Sequence, residues 1–161
     1  MIVVADSGPL HYLILFGQIE LLHRFYGQAV IPDAVARELC AAAAPPAVSG
    51  WVAHLPEWAT VTLVTQEQIA TITDDLDLGE RAAIALAGAI RADLLLIDDA
   101  AGRVEAKRRN LRVTGTLGVL RVGAEQGVVN VPDMLQKLRT TSFYADEALI
   151  KVIFHKWLRP T

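Results

Sequence analysis

The chain has 161 residues, 53% of them hydrophobic and 20% charged, which excludes a disordered protein and suits one domain with a single core. Its net charge of -3 excludes nucleic-acid binding by overall charge, so any such contact has to be local. A single cysteine excludes an internal disulfide, and the four-residue apolar run after Met1 is too short for a signal peptide or a membrane span. We therefore expect a cytoplasmic protein without membrane attachment, forming one domain over residues 1–161.

The first part of the chain predicts two strands that are each followed by helices. Residues 2–5 (IVVA) form a short β-branched run typical of a buried strand, and the turn sequence Asp-Ser-Gly-Pro closes it. Leucines then recur at helical spacing in two short helices separated at Gly17. Residues 29–32 predict a second strand, and the helix after it is expected to reach about Ala43 and to bury Cys40.

The middle of the chain continues this alternation. Residues 41–50 (AAAAPPAVSG) are small and interrupted by proline, so we expect a mobile loop there. Residues 61–64 predict a third strand, and residues 65–73 predict a helix. A long alanine-rich helix is expected from about Leu78, ahead of a buried strand at residues 94–97 (LLLI).

The last part of the chain predicts a helix at residues 99–109, a strand at 111–115 and a helix at 115–126. Two further helical patterns form a C-terminal helical extension from about 132 to 158. Strands that alternate with helices are the signature of right-handed βαβ units, which build a parallel sheet covered on both faces. The sequence therefore predicts an α/β fold.

Two acidic residues directly follow predicted strands. Asp6 comes after the first strand, and Asp98 comes after the strand at residues 94–97. Because parallel sheets bind ligands at the carboxyl ends of their strands, both acids are expected to face one crevice. Glu38 and Glu80 lie on predicted helices that can turn toward the same edge. Carboxylates at close range raise one another's pKa unless a cation is present, and oxygen ligands favour Mg²⁺ or Mn²⁺. The sequence thus predicts a metal site suited to phosphodiester hydrolysis.

Each acid also has a simpler interpretation that the sequence leaves open. Asp6 could cap the first helix, and Glu38 could be an exposed helix residue. Glu80 could be stabilised by solvent or by the helix dipole. Asp99 could be a further ligand or could cap the next helix, and Ser7 could hold a metal-bound water or simply form the turn.

Four segments together resemble a known family: VVADSGPLHYLILFGQIELL, VIPDAVARELC, LDLGERAAIALA and LLIDDAAGRVEAKRRNLRVTGTLGVL. The resemblance covers residues 2 to about 125 and is to the prokaryotic PIN-domain nucleases, in particular a subgroup of toxin-like ribonucleases formerly classed as a domain of unknown function. It implies a three-layer α/β/α sandwich around a central parallel sheet, an acid cluster that binds Mg²⁺ or Mn²⁺, and cleavage of RNA. Many members of the family are toxins that an antitoxin protein neutralises.

The resemblance also assigns roles to individual residues. Four acids match the family's catalytic positions: Asp6, Glu38, Glu80 and Asp98. Metal ligands are expected at Asp6, Glu80, Asp98 and Asp99. Many members have Asp where Glu80 stands, a difference that lengthens the reach of this ligand without removing it. Thr114 and Thr116 resemble hydroxyls that line the site in this subgroup, although Thr114 could equally be a strand residue.

Basic residues follow the last of these acids, since six of the fifteen Lys and Arg residues fall at positions 103–121. The helix beside Asp98 would place Arg103 and Lys107 at the rim of the site, where they could hold RNA phosphates; a solvated helix face is the alternative. The expected substrate-binding residues are Ser7, Arg103, Lys107, Thr114 and Thr116. Residues 132–158 could form a dimer or antitoxin surface, and we expect a homodimer.

These observations predict a Mg²⁺- or Mn²⁺-dependent endoribonuclease that hydrolyses RNA phosphodiester bonds, as a hydrolase and as a candidate toxin of a toxin–antitoxin pair. A phospho-acceptor domain also uses acids at strand ends, but it would need a lysine after a late strand, and none follows LRVTGT. A catalytically weak PIN-fold protein that binds RNA or another protein is the alternative, because a fold does not fix a function.

Overall fold

The computed structural model describes residues 1–158, which divide into two compact units with the boundary between Thr116 and Leu117. The first unit contains one sheet of five parallel strands: β1 (Ile2–Ala5), β2 (Gln28–Pro32), β3 (Ala59–Thr62), β4 (Leu94–Leu96) and β5 (Val113–Thr114). The helices that begin and end in this unit are α1 (Ser7–Leu15), α2 (Glu20–Tyr26), α3 (Asp33–Leu39), α4 (Pro46–Ala53), α5 (Gln66–Ala70), α6 (Leu78–Ala89) and α7 (Ala100–Arg108). The helices that follow are α8 (Thr116–Glu125), α9 (Val131–Arg139) and α10 (Glu147–Leu158).

The strands are arranged in the order β3-β2-β1-β4-β5. The chain builds the sheet from β1 through β2 to β3, and it then returns to the other side of β1 to add β4 and β5. β1 and β4 are therefore neighbours, with Ala5 in register with Leu96. The strand order reverses at this pair, and open α/β sheets leave a crevice at such a switch point, outside the carboxyl ends of the strands. Asp6 and Asp98 follow these two strand ends.

Both faces of the central strands β1 and β4 are largely buried, as their continuous apolar sequences require. Val4 and Leu95 belong to a core that α6 dominates, and Ala82 and Ala83 of this helix are completely buried there. The small alanine side chains allow α6 to pack on the strands while it also contacts α3, α5 and α7. On the alternate positions of the same strands, Leu96 is completely buried as well. The predicted α/β sandwich around a central parallel sheet is confirmed.

The segment after β2 departs from the predicted pattern. α3 ends at Leu39, earlier than expected, and Cys40 is exposed rather than buried. The predicted mobile loop instead contains α4, with Pro46 in its first turn. A proline disfavours a helical conformation in the residue before it, so a helix rarely continues through it. The first turn of a helix tolerates proline, because its backbone N–H groups have no partner within the helix. The same Pro45-Pro46 pair that indicates a loop therefore starts a helix.

The second unit is helical in its described part. The Asn130 side chain caps α9 by accepting a hydrogen bond from the Asp133 backbone N–H at 3.0 Å. α9 contacts α10, in which Phe154 is completely buried, whereas Tyr144 before α10 is 91% exposed. Within residues 1–158, no helix is both long enough and apolar enough to cross a membrane. The expectation of one domain over the whole chain stays a prediction.

Candidate active site

Asp6 lies at the end of β1, where its backbone continues the sheet. Its N–H donates to the Leu96 carbonyl at 2.9 Å, which fixes Asp6 beside β4. The side chain is only 5% exposed and makes no capping hydrogen bond to α1, so helix capping does not explain it. Within the described chain, its Oδ1 atom is buried and has no hydrogen-bond partner. A buried carboxylate oxygen without a partner is costly, so Asp6 would be stabilised by any group that contacts this oxygen.

Nearby acids make the ionised form of Asp6 still less favourable. Burial raises the pKa of the Asp6 carboxyl to about 8, and the adjacent Ser7 backbone N–H opposes the shift. The negative charges of Asp77, Glu80 and Glu38 raise the pKa further. Three acids from other parts of the chain therefore lie near enough to act on Asp6.

The first turn of α6 brings these acids together. Asp77 is the N-cap of the helix, and its Oδ1 accepts a hydrogen bond from the Glu80 backbone N–H at 2.8 Å. Glu38 reaches the same turn from α3, because its carboxylate lies directly against the backbone of Gly79. A Cβ at position 79 would collide with the Glu38 carboxylate in its present position, so the glycine allows this close approach. Glu38 itself is exposed.

The pKa of Glu80 is raised, like that of Asp6. It is half-buried, and burial together with the charges of Asp77 and Asp99 raises its pKa to about 7. Asp99 is exposed and caps α7, with its Oδ2 accepting a hydrogen bond from the Gly102 backbone N–H at 2.8 Å. The capping role considered for Asp99 is therefore present, yet its charge also acts on Glu80.

Asp98 lies one residue beyond Ile97 after β4, and Thr116 holds both of its carboxylate oxygens. The Thr116 N–H donates to Oδ1 at 2.7 Å, and the Thr116 hydroxyl donates to Oδ2 at 2.6 Å. Burial raises the pKa of Asp98, while the Thr116 hydrogen bonds and the Arg103 charge lower it. Gly115 packs directly against Asp98 and Arg103. A Cβ at this position would stand 2.5 Å from Asp98 Oδ1 and 3.1 Å from Arg103 Nη1.

The predicted substrate-binding residues have different environments. Ser7 is half-buried as the first residue of α1, and Thr114 is half-buried at the end of β5, where its carbonyl accepts from the Ile97 N–H at 2.9 Å. Thr116 is completely buried, and its hydroxyl is directed at Asp98. Arg103 is half-buried near Asp98, and Lys107 is exposed in the last turn of α7.

Two of the basic residues at positions 103–121 form ion pairs with an acid of α7. Glu105, which is only 8% exposed, pairs with Arg109 at 2.9 Å and with Arg108 at 3.3 Å. Arg109 also donates to the Thr71 carbonyl at 2.5 Å. These two arginines are therefore held by the protein itself. Among the basic residues of α7, this leaves Arg103 and Lys107 as the stronger candidates for phosphate contact.

A family model described as a PIN domain matches residues 2–158 of this chain. The chain belongs to the PIN domain family. Its members are generally nucleases. The fold is also similar to that of a PilT N-terminus domain protein from the hyperthermophilic archaeon Sulfolobus solfataricus P2, with a TM-score of 0.53 and 14% sequence identity over 90% of this chain and 100% of that chain. No curated protein sequence gives a significant match.

The acids of this PIN domain fit a hard divalent cation by their chemistry. Within residues 1–158, no three of them are already arranged as ligands of one ion. Asp6 nevertheless presents a buried oxygen without a hydrogen-bond partner, and the carboxylates that raise its pKa are the donors that Mg²⁺ and Mn²⁺ prefer. A cation would remove both the mutual repulsion and the unsatisfied oxygen.

Asp77 is a further acid of this site whose sequence pattern does not single it out. Among the charged neighbours of both Asp6 and Glu80, it is the one that raises the pKa most. The available signal was its spacing, because an Asp three residues before a Glu at a helix start is typical of an N-cap. That signal identifies a cap, whereas the contribution to the acid cluster depends on how α6 packs beside β1.

Proposed function

We propose that this PIN domain is a metal-dependent endoribonuclease that hydrolyses RNA phosphodiester bonds. The observation that carries the proposal is Asp6, a carboxylate 5% exposed with an unpartnered oxygen among like charges. Asp6 lies at the switch point of the sheet, and α/β folds of this class bind ligands at such a point. The proposed metal ligands for Mg²⁺ or Mn²⁺ are Asp6, Glu80, Asp98 and Asp99.

Residues of the chain have separate tasks in this proposal. A bound divalent cation supplies positive charge that acidifies an attacking water and neutralises the leaving oxygen of the phosphodiester. Asp6 is held by the sheet, and Asp98 is held by Thr116, so these two acids form the rigid part of the site. Glu38 is exposed beside Gly79, where its carboxylate can accept a hydrogen bond from the attacking water.

The proposal for RNA as substrate is supported by cations next to the acids. Arg103 lies near Asp98, and Lys107 follows one turn later on the same helix, so both can hold phosphates on an otherwise acidic protein. Ser7, directly after Asp6, and Thr114, at the end of β5, are half-buried and are proposed as further contacts. Thr116 is proposed to act through Asp98, because its hydroxyl is buried against that residue.

The test uses two variants on the same pair of strands. Asp6→Asn keeps the size of the side chain and removes its charge at the carboxyl end of β1. The control Asp93→Asn removes a charge at the opposite end, where Asp93 accepts a hydrogen bond from the Ile2 N–H at 2.7 Å. Each protein is assayed for Mn²⁺ binding by calorimetry and for cleavage of a fluorescent single-stranded RNA, with and without EDTA.

We expect the parent and Asp93→Asn to bind Mn²⁺ and to cut RNA, and Asp6→Asn to lose both properties while it remains folded by circular dichroism. Cleavage by Asp6→Asn at the parent rate would refute the proposed site. Mn²⁺ binding by the parent without any RNA cleavage would instead favour the alternative, a PIN domain that serves as a binding partner.

A toxin role is the finer part of the proposal and has its own test. Expression of the parent in a bacterial host should arrest growth, and expression of Asp6→Asn at the same level should not. A neutralising partner would then be sought as the protein whose coexpression restores growth. Equal growth with the parent and the variant would remove the toxin role and leave the nuclease proposal intact.

A further inference from the structure

The two edges of the sheet differ in how well they are protected. At one edge, β5 has only two residues, both half-buried, and it follows the exposed charge of Arg112. At the other edge, β3 and the chain directly after it, residues 59–65 (ATVTLVT), contain no charge and no proline. Short strands, charges and prolines are the features that keep sheet edges from pairing with other chains. Only the β5 edge combines shortness with a flanking charge.

The backbone of β3 leaves hydrogen-bonding groups on its outer side. The Ala29 N–H donates to the Trp58 carbonyl at 2.9 Å, and Ala29 is in register with Ala59. In a parallel ladder the residues of a strand alternate between its two sides, so Thr60 bonds to β2 and Val61 faces away from it. Within residues 1–158, no strand pairs with this outer side, since β3 is the last strand in the sheet order.

The side chains at this edge are apolar and exposed. Val61 is 44% exposed, and Leu63, the first residue after the strand, is 74% exposed. If the strand is continued by one residue, the two side chains lie on the same face. Ala59, on that face as well, is only 5% exposed. An exposed apolar edge with free backbone groups is suited to pairing with another strand.

The sequence of the edge is complementary to itself. In an antiparallel pair centred on Val61, this residue stands opposite its own copy, and the large Leu63 stands opposite the small Ala59. On the other face, Thr60 stands opposite Thr62, a favourable cross-strand pair. Glu57, the nearest charge before the strand, falls opposite the uncharged Thr65, so no like charges meet.

We propose that β3 pairs antiparallel with β3 of a second copy of this chain, forming a homodimer with one continuous sheet. Val61 exchanges its N–H and carbonyl with Val61 of the second copy, and the Leu63 N–H donates to the Ala59 carbonyl in each direction, about four hydrogen bonds in all. The pairing covers Val61 and Leu63. It does not depend on the proposed nuclease activity.

The first test compares two exposed apolar residues of equal exposure. Leu63→Lys introduces a charge at the β3 edge, where the side chain is 74% exposed. Val152→Lys makes the same kind of change on α10, where the side chain is 73% exposed. Molar mass is measured by sedimentation equilibrium from low to high micromolar protein, with folding checked by circular dichroism.

We expect the mass of the parent and of Val152→Lys to rise with concentration toward twice the chain mass of 17.5 kDa, and Leu63→Lys to stay monomeric. A parent that stays at 17.5 kDa throughout would overturn the proposal. Dissociation by Val152→Lys with an intact Leu63→Lys dimer would also overturn it, since the interface would then lie in the C-terminal extension.

The second test gives a positional result that does not depend on Leu63→Lys folding. Paired residues in an antiparallel ladder have Cα atoms about 5.5 Å apart, a separation that a disulfide can span. Val61→Cys, made in a Cys40→Ser background because Cys40 is exposed, should therefore form a cross-linked dimer under mild oxidation. Val104→Cys, at a 60% exposed position on α7, should not. Equal cross-linking of both variants, or of neither, would refute the proposed register.

Discussion

Gly115 and Gly8 provide a matched pair of positions around Asp98, because a methyl group at each approaches a different oxygen of that carboxylate. At Gly115 an added Cβ would stand 2.5 Å from Oδ1 and 3.1 Å from Arg103 Nη1, whereas at Gly8 it would stand 3.7 Å from Oδ2. Asp98 cannot simply move aside, since Thr116 binds both of its oxygens at 2.7 and 2.6 Å. Gly115→Ala should therefore break this arrangement, and Gly8→Ala should leave it intact.

The expected magnitude follows from the hydrogen bonds at stake. Loss of a hydrogen bond to a charged group costs about 1.5–3 kcal/mol, so Gly115→Ala should lower the free energy of unfolding by roughly that amount. Gly8→Ala replaces a glycine within α1 and should raise it by up to about 1 kcal/mol. Urea unfolding measures both values, and RNA cleavage should fall only in Gly115→Ala. Equal stability and activity for Gly115→Ala and the parent would refute the tight packing described around Asp98.

Other predictions concern the charges of the site. The Asp6 pKa is raised from 3.8 to about 8, so the neutral form of Asp6 contributes stability to the metal-free protein that is fully present below about pH 4 and is lost as the pH rises through 8. Urea unfolding in EDTA should show this decline in the free energy of unfolding. The variant Asp6→Asn should lack the contribution of Asp6 to the decline. Asp77→Asn should keep the N-cap of α6 while lowering the pKa of Asp6, because it removes a neighbouring negative charge. Asp77→Ala should lower that pKa as well and should also cost about 1 kcal/mol of stability, because the cap is lost. Carboxyl NMR titration measures the pKa change, and urea unfolding measures the loss of the cap. Arg103→Ala combined with Lys107→Ala should weaken RNA binding and reduce the slope of log affinity against log salt by about 1 for each lost phosphate contact, and an unchanged slope would remove both from the RNA surface.

The elements that position the rigid acids could be predicted from sequence because their signals are local. The apolar runs that end at Asp6 and just before Asp98 identify buried strands, and parallel pairing places their ends at one edge. The order in which the strands lie was not predicted, since it depends on long-range packing. It is this order that makes β1 and β4 neighbours and brings the two acids to one switch point.

The remaining features of the site depend on contacts between distant segments. The cap spacing before Glu80 is visible in the sequence, but the influence of Asp77 on Asp6 exists only because α6 packs beside β1. Thr116 was selected as a hydroxyl lining the site, and the structure shows its hydroxyl buried against Asp98. Local patterns do not distinguish a hydroxyl that faces solvent from one that orients an acid.

The contact between Glu38 and Gly79 joins α3 to the start of α6, and it has a consequence for local motion. Without a cation, we expect repulsion among the ionised acids at this turn to favour brief opening of the first turn of α6. A bound cation would attract the same charges and hold two helices and a strand together. Amide hydrogen exchange at residues 79–81 should then slow on ion binding far more than exchange at the opposite end of the sheet, so the acids would make the rigidity of this helix end depend on the ion.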